Sequence, residues 1–96
     1  MANIVRSTQE WEAELGRRIN ATRKQMGMTQ EELAQRANIS RSAVKYLEAG
    51  KGSTLASFVK VARALELDEI FDQIFAVTTP ISPLAMLAAA RKRERK

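Results

Sequence analysis

Residues 29–53, TQEELAQRANISRSAVKYLEAGKGS, decide the fold of this chain. They read as two helices of about eight residues each, joined by a tight turn. Thr29 with Glu32 makes a capping box, in which a hydroxyl and a carboxylate satisfy free N–H groups at a helix start. Leu33, Ala34 and Ala37 then face inward, and Ala34 is small enough to let two helices approach closely. Asn38 tolerates a left-handed backbone better than most residues, which suits the turn. Ser40 caps the second helix, where Ala43, Val44 and Leu47 share one face, and Gly50 and Gly52 break it. A turn of this kind sets its helices at roughly 90–120° and leaves the second one open on its outer side.

Before this block, Ser7 and Glu10 form another capping box. A helical stripe of Trp11, Leu15, Ile19 and Met26 follows, with Thr22 between, and Gly27 closes it as a left-handed cap. After the block, Ser53 or Thr54 opens a fourth helix with Leu55, Phe58, Val59, Ala62 and Leu65 inward. Asp68 caps a short fifth helix carrying Ile70, Phe71, Ile74 and Phe75. TTPISP (78–83) reads as an extended linker, and Ser82 with Pro83 as the start of a short sixth helix. The run Val77–Thr79 is too short for a strand. The fold class expected is all-α, with residues 1–76 as one domain and 77–96 as a basic tail.

Composition narrows the function. The chain has 96 residues, 45% of them hydrophobic, enough for one modest core. It has no Cys and no His, so disulfides, the usual zinc ligands and the usual general base are all missing. No glycine-rich phosphate loop is present either, so neither an enzyme nor a cofactor is expected. No signal peptide or membrane span is visible, and a cytoplasmic location is expected. The net charge of +5 is unevenly spread. The stretch 17–60 is basic, 66–72 carries four acids and no base, and the terminal RKRERK is strongly basic. A basic middle implies an anionic partner; for the tail, simple solvation is an equal alternative. Trp11 reads as a packing residue, since the aromatics are too few for a single-strand stacking platform.

The spacing of Ala34, Asn38 and Val44 resembles the Xre family of lambda-repressor-like regulators, over roughly Leu15 to Phe75. Asn38 stands where that family usually has Gly. The resemblance implies a five-helix DNA-binding domain on double-stranded DNA, as a homodimer on an inverted-repeat operator. It implies phosphate contacts from Gln30 and Ser40, a grip on the DNA backbone by the amides of the loop holding Lys51 and Ser53, and base reading from Arg41 and Ser42, with Lys45 and Tyr46 one turn further. It also implies a buried pair between Arg23 and Glu48. Apart from the resemblance, Thr29, like Ser40 and Ser53, stands at a helix N-terminus that favours phosphate. The residues fit this chemistry unaided: Arg41 has the fork for guanine O6 and N7, and the hydroxyls stand at helix N-termini. For each of these the plain alternative is a helix cap or a solvated charge.

A second resemblance is narrower. GKGSTLASFVKVARALELDEIFDQIF (50–75), with a proline-containing basic tail, is similar to HipB-type antitoxins, which pair with HipA-like kinase toxins and repress their own operon. The residues themselves suggest dimer or partner contacts: Phe71, Ile74 and Phe75 exceed what one face of a short helix needs, and the tail can present Ile81, Leu84 and Leu87 to a groove. A stand-alone regulator without a toxin, or a module that only neutralises a kinase by binding it, are the alternatives.

Overall fold

The computed structural model describes residues 5–76. Four α-helices run in chain order: α1 (Thr8–Gln25), α2 (Gln30–Ala37), α3 (Arg41–Glu48) and α4 (Leu55–Ala64), followed by a 3₁₀ turn at Asp68–Asp72. Among the described residues there is no strand.

Every α-helix starts on a hydroxyl. Ser7, Thr29, Ser40 and Thr54 hold extended backbone, and each side-chain oxygen accepts from an N–H one turn in. At Ser7 and Thr29 the glutamate three residues on accepts in return from the cap N–H, at 2.9 Å in both cases. Every α-helix also stops in the same way. Gly27, Asn38, Gly50 and Glu66 adopt positive φ. The next residue in each case donates its N–H back over the last turn, as in Met28 to Arg23, Ile39 to Ala34, Lys51 to Tyr46 and Leu67 to Ala62. Asn38 therefore performs in the α2–α3 turn what a glycine performs elsewhere, with φ 56° and ψ 48°.

The core is Ile19, Met28, Leu33, Ala34, Ala37, Val44, Leu47, Val61 and Leu65. Leu33, Val44 and Val61 are fully buried, and each contributes about 1.5–3 kcal/mol on leaving water. α2 packs on α3 and α4, and α1 packs on α3. The last contact is backbone-close. A Cβ on Gly16 would drive into the Leu47 carbonyl oxygen and stand 2.9 Å from that of Glu48.

Three expectations are corrected. Of the apolar stripe on α1 only Ile19 faces inward, together with Gly16 and Arg23; Trp11, Leu15 and Met26 stay partly in solvent. Trp11 instead lies under the Arg6 guanidinium, 4.7 Å from the ring centre. Leu55 is 77% exposed, because it directly follows the Thr54 cap on the outer side of α4, while Val61 fills the core. The fifth helix is a single 3₁₀ turn. Asp68 makes no cap, and a run of β-branched and aromatic residues does not propagate a helix beyond a nucleus this short. The sixth helix and the 77–96 tail lie outside the described residues.

Replacing Gly16 with Ala should force α1 from α3 and cost about 1–3 kcal/mol, as overpacking does. A denaturant melt that matches the parent would show that the two backbones separate without penalty.

Candidate nucleic-acid interface

The spacing of α3 divides it cleanly. Val44 and Leu47 are buried, so Ser42, Lys45 and Tyr46 project from the opposite side and Arg41 from its flank, and all four are exposed. Arg41 takes part in no ion pair among the described residues. Its planar fork is open to an acceptor pair such as guanine O6 and N7.

Beside this face lies an open concavity of about 610 Å³, between α3 and the start of α4. Ser40, Ser42, Tyr46, Ser53, Thr54 and Ser57 line it, together with Lys51, and no carboxylate does. Two helix N-termini border it, each a region of positive potential. The Lys51 ammonium stands 5.5 Å from the centre of the Tyr46 ring, which holds the cation at the rim. The Ser40 and Thr54 oxygens accept cap bonds, so their hydroxyl protons stay available to an anion. Ser53 differs: its hydroxyl donates to the Thr54 carbonyl at 2.7 Å, which commits its proton.

Behind α3 sits one polar cluster. Arg23 Nε donates to Glu48 Oε2 at 2.7 Å, and the two side chains are only 9% and 4% exposed. Glu48 Oε1 also accepts from Arg23 Nη2 at 3.1 Å, Asn20 Nδ2 at 2.7 Å and Gln30 Nε2 at 3.0 Å. Arg23 Nη1 donates to the Met28 carbonyl at 2.7 Å. Burial pushes the Glu48 carboxyl up, but the hydrogen bonds from Arg23, Asn20 and Gln30 and the charge of Arg23 outweigh it, and it lies below the ordinary value. Among the described residues no buried side-chain nitrogen or oxygen lacks a partner.

A short outward helix, a left-handed turn before it and a second helix braced behind it form one arrangement. The chain matches the helix-turn-helix family over residues 19–70. It belongs to this Xre-like family. It is also 42% identical over 55 residues to an HTH-type transcriptional regulator of Methanothermobacter thermautotrophicus, covering 56% of this chain and 80% of that one.

Within the helix-turn-helix, the sequence-derived site residues fall into three groups. Ser40, Ser42, Tyr46, Lys51 and Ser53 share the concavity. Arg41 and Lys45 lie on the same helix, and Arg41 also borders a second, smaller hollow with Glu31, Gln35 and Asn38. Thr29 is exposed at its capping box, and Gln30 is half-buried with one amide N–H on Glu48. Away from these, Phe71 is half-buried against Phe58, with ring centres 6.1 Å apart, whereas Ile74 and Phe75 are exposed. Ile81, Leu84 and Leu87 lie outside the described residues. Sequence reading missed Gly16 and Asn20. The one signal is spacing: Gly16, Asn20 and Arg23 recur on one helical face, but a small and polar stripe reads equally as a solvated one.

Removing either Arg23 or Glu48 should cost about 3–5 kcal/mol, and replacing both with apolar residues much less. The pH dependence has a definite sign. Because the folded value of Glu48 is depressed, its stabilisation is complete above about pH 4.5 and is lost as pH falls through the lower folded value. Glu14, lowered to about 2 by hydrogen bonds from Arg17 and Arg18, adds its own acid response. Subtracting the Glu48→Gln curve from the parent isolates the buried group. The stability gap between the two proteins should be flat above pH 5 (~0.5 unit above that window) and should narrow below it; a gap independent of pH would show that Glu48 is not ionised in the fold.

Proposed function

We propose that this chain is a sequence-specific DNA-binding transcriptional regulator, acting as a two-fold dimer on an inverted-repeat operator with α3 in the major groove. The outward row of Arg41, Ser42, Lys45 and Tyr46 beside a carboxylate-free, hydroxyl-lined concavity carries this reading. Arg41 and Ser42 read base edges at the exposed start of α3. Lys45 and Tyr46 extend the contact by a turn. Thr29, Ser40 and Lys51 hold the phosphate backbone; Gln30 does so with the amide N–H that Glu48 leaves free. Ser53 serves through its backbone, since its hydroxyl proton is committed. The relative in Methanothermobacter thermautotrophicus bears the name of a transcriptional regulator, which supports the same role. A cytoplasmic location, and neither catalysis nor a cofactor, go with this reading.

A single module reads few base pairs, so dimerisation is part of the proposal. Ile74 and Phe75 supply exposed apolar area for it, Phe75 being 97% exposed. A narrower reading makes the chain the autoregulating antitoxin of a HipA-like kinase, with Ile81, Leu84 and Leu87 added to the contact. Its support is the run 50–75 and the same exposed pair. Retention of a HipA-like kinase on the immobilised protein, lost on truncation after Pro80, separates it from a stand-alone regulator.

Arg41→Ala should cost about 1–3 kcal/mol at the preferred site and relax the preference at one base pair. Lys51→Ala should weaken all sequences alike and lower the salt slope by about one. Titrations of cognate and scrambled duplexes at several salt concentrations read both; an Arg41→Ala protein that discriminates like the parent overturns the assignment. Phe75→Glu should give a folded monomer by sedimentation, and an unchanged dimer would move the interface elsewhere.

A further inference from the structure

α1 and α4 leave an apolar gap between them. A cleft of about 200 Å³ runs between α1 and the segment from α4 to the 3₁₀ turn, walled by Leu15, Ile19, Phe58, Leu67, Ile70 and Phe71. A second hollow of about 270 Å³ shares Leu15 and Phe58 with it and continues to the exposed Leu55. The two polar residues at the first cleft already have partners within α1. Arg18 Nε donates to Glu14 at 2.6 Å, and the Thr22 hydroxyl donates to the Arg18 carbonyl at 2.9 Å. The walls therefore favour an apolar occupant and offer little to a polar one.

We infer that this groove is the receptor for the chain's own C-terminal segment, residues 81–96. Three observations converge on that occupant. The first is shape: Leu84, Leu87 and Ala88 recur at one helical face behind the Ser82–Pro83 start, and Ile81 precedes the cap where a hydrophobic staple sits. The second is charge. Glu66, Asp68, Glu69 and Asp72 alternate with the groove residues Leu67, Ile70 and Phe71, are exposed, and join no ion pair among the described residues. The run RKRERK at 91–96 carries five bases and one acid, so the basic end of the segment complements an acidic lip. The third is the tether. Ile70 and Phe71 line the groove only a few residues before Ala76, and residues 77–80 reach up to ~14 Å when extended. So short a link gives an effective concentration in the millimolar range, which favours the same chain over a second copy. The inference does not rest on the DNA-binding reading, since the first cleft shares no lining residue with the α3 concavity, and only the second hollow meets it, at Gly52, Ser53 and Thr54.

The absence of native cysteine makes a direct test clean. Thr22→Cys places one thiol on the groove wall, and Ala88→Cys or Met86→Cys places a second on opposite faces of the segment. In the full chain under mild oxidation, the Thr22/Ala88 pair should form a disulfide at least about tenfold faster than the Thr22/Met86 pair. The product should run as a single chain on a non-reducing denaturing gel, and adding Leu84→Asp should remove the advantage of position 88. Equal rates at 86 and 88 would show a loose tether without docking. A product of two chains would assign the groove to a second copy, and no product at either position would leave the segment elsewhere; each overturns the inference. Operator binding by the same variants, measured separately, bears on the regulator reading alone.

Discussion

Glu48 sits at the end of α3 with almost no access to water, and its two oxygens accept four hydrogen bonds from Asn20, Arg23 and Gln30. Those donors belong to α1 and α2, and Arg23 also ties down the Met28 carbonyl in the loop between them. One carboxylate thus fixes where α3 stands relative to both preceding helices. A buried ion pair is not a cheap source of stability, because desolvation offsets most of its attraction. Its contribution here is positional: the same group that anchors α3 from behind also holds Gln30 by one amide N–H.

The α1–α3 contact makes this anchor tight. With Gly16 against the Leu47 and Glu48 carbonyls, no side chain cushions the two helices, and Asn20 and Arg23 reach Glu48 at full hydrogen-bond strength. A bulkier residue at position 16 would lengthen all of these bonds together. Packing and polar pairing are thus two aspects of a single constraint, and the outward row on α3 inherits its placement from it.

How much of this was legible in the sequence depended on how local the cause was. Helix starts at Ser7, Thr29 and Ser40, and stops at Gly27, Asn38 and Gly50, follow from side chains acting within one turn, and they were readable. The outward face of α3 followed from Val44 and Leu47. The orientation of α1 did not, since hydropathy counts Arg23 and Asn20 as surface residues, while their acceptor lies 25 and 28 positions away. Leu55 misled for a related reason: at the first position after a cap, apolar character says little about which way the chain has turned. The 3₁₀ turn at Asp68–Asp72 was mistaken for an α-helix because its apolar spacing suits either form, and only the missing cap distinguishes them. Ser53 reads as a donor from its type alone, but the structure spends its proton on Thr54.

The repeated start and stop signals have a consequence for how the chain reaches this state. Each helix carries its own punctuation, so its ends are specified before any neighbour has docked. Two of the stops, Asn38 and Glu66, use residues other than glycine, which leaves the unfolded chain fewer conformations to surrender. Successive helices then meet across connections of a few residues, and little loop-closure entropy stands in the way of the first contacts. Proteins dominated by such near-neighbour contacts fold in microseconds to milliseconds, and this chain should collapse on that timescale, with the bonds from Asn20 and Arg23 to Glu48 among the later contacts because they span 28 and 25 positions.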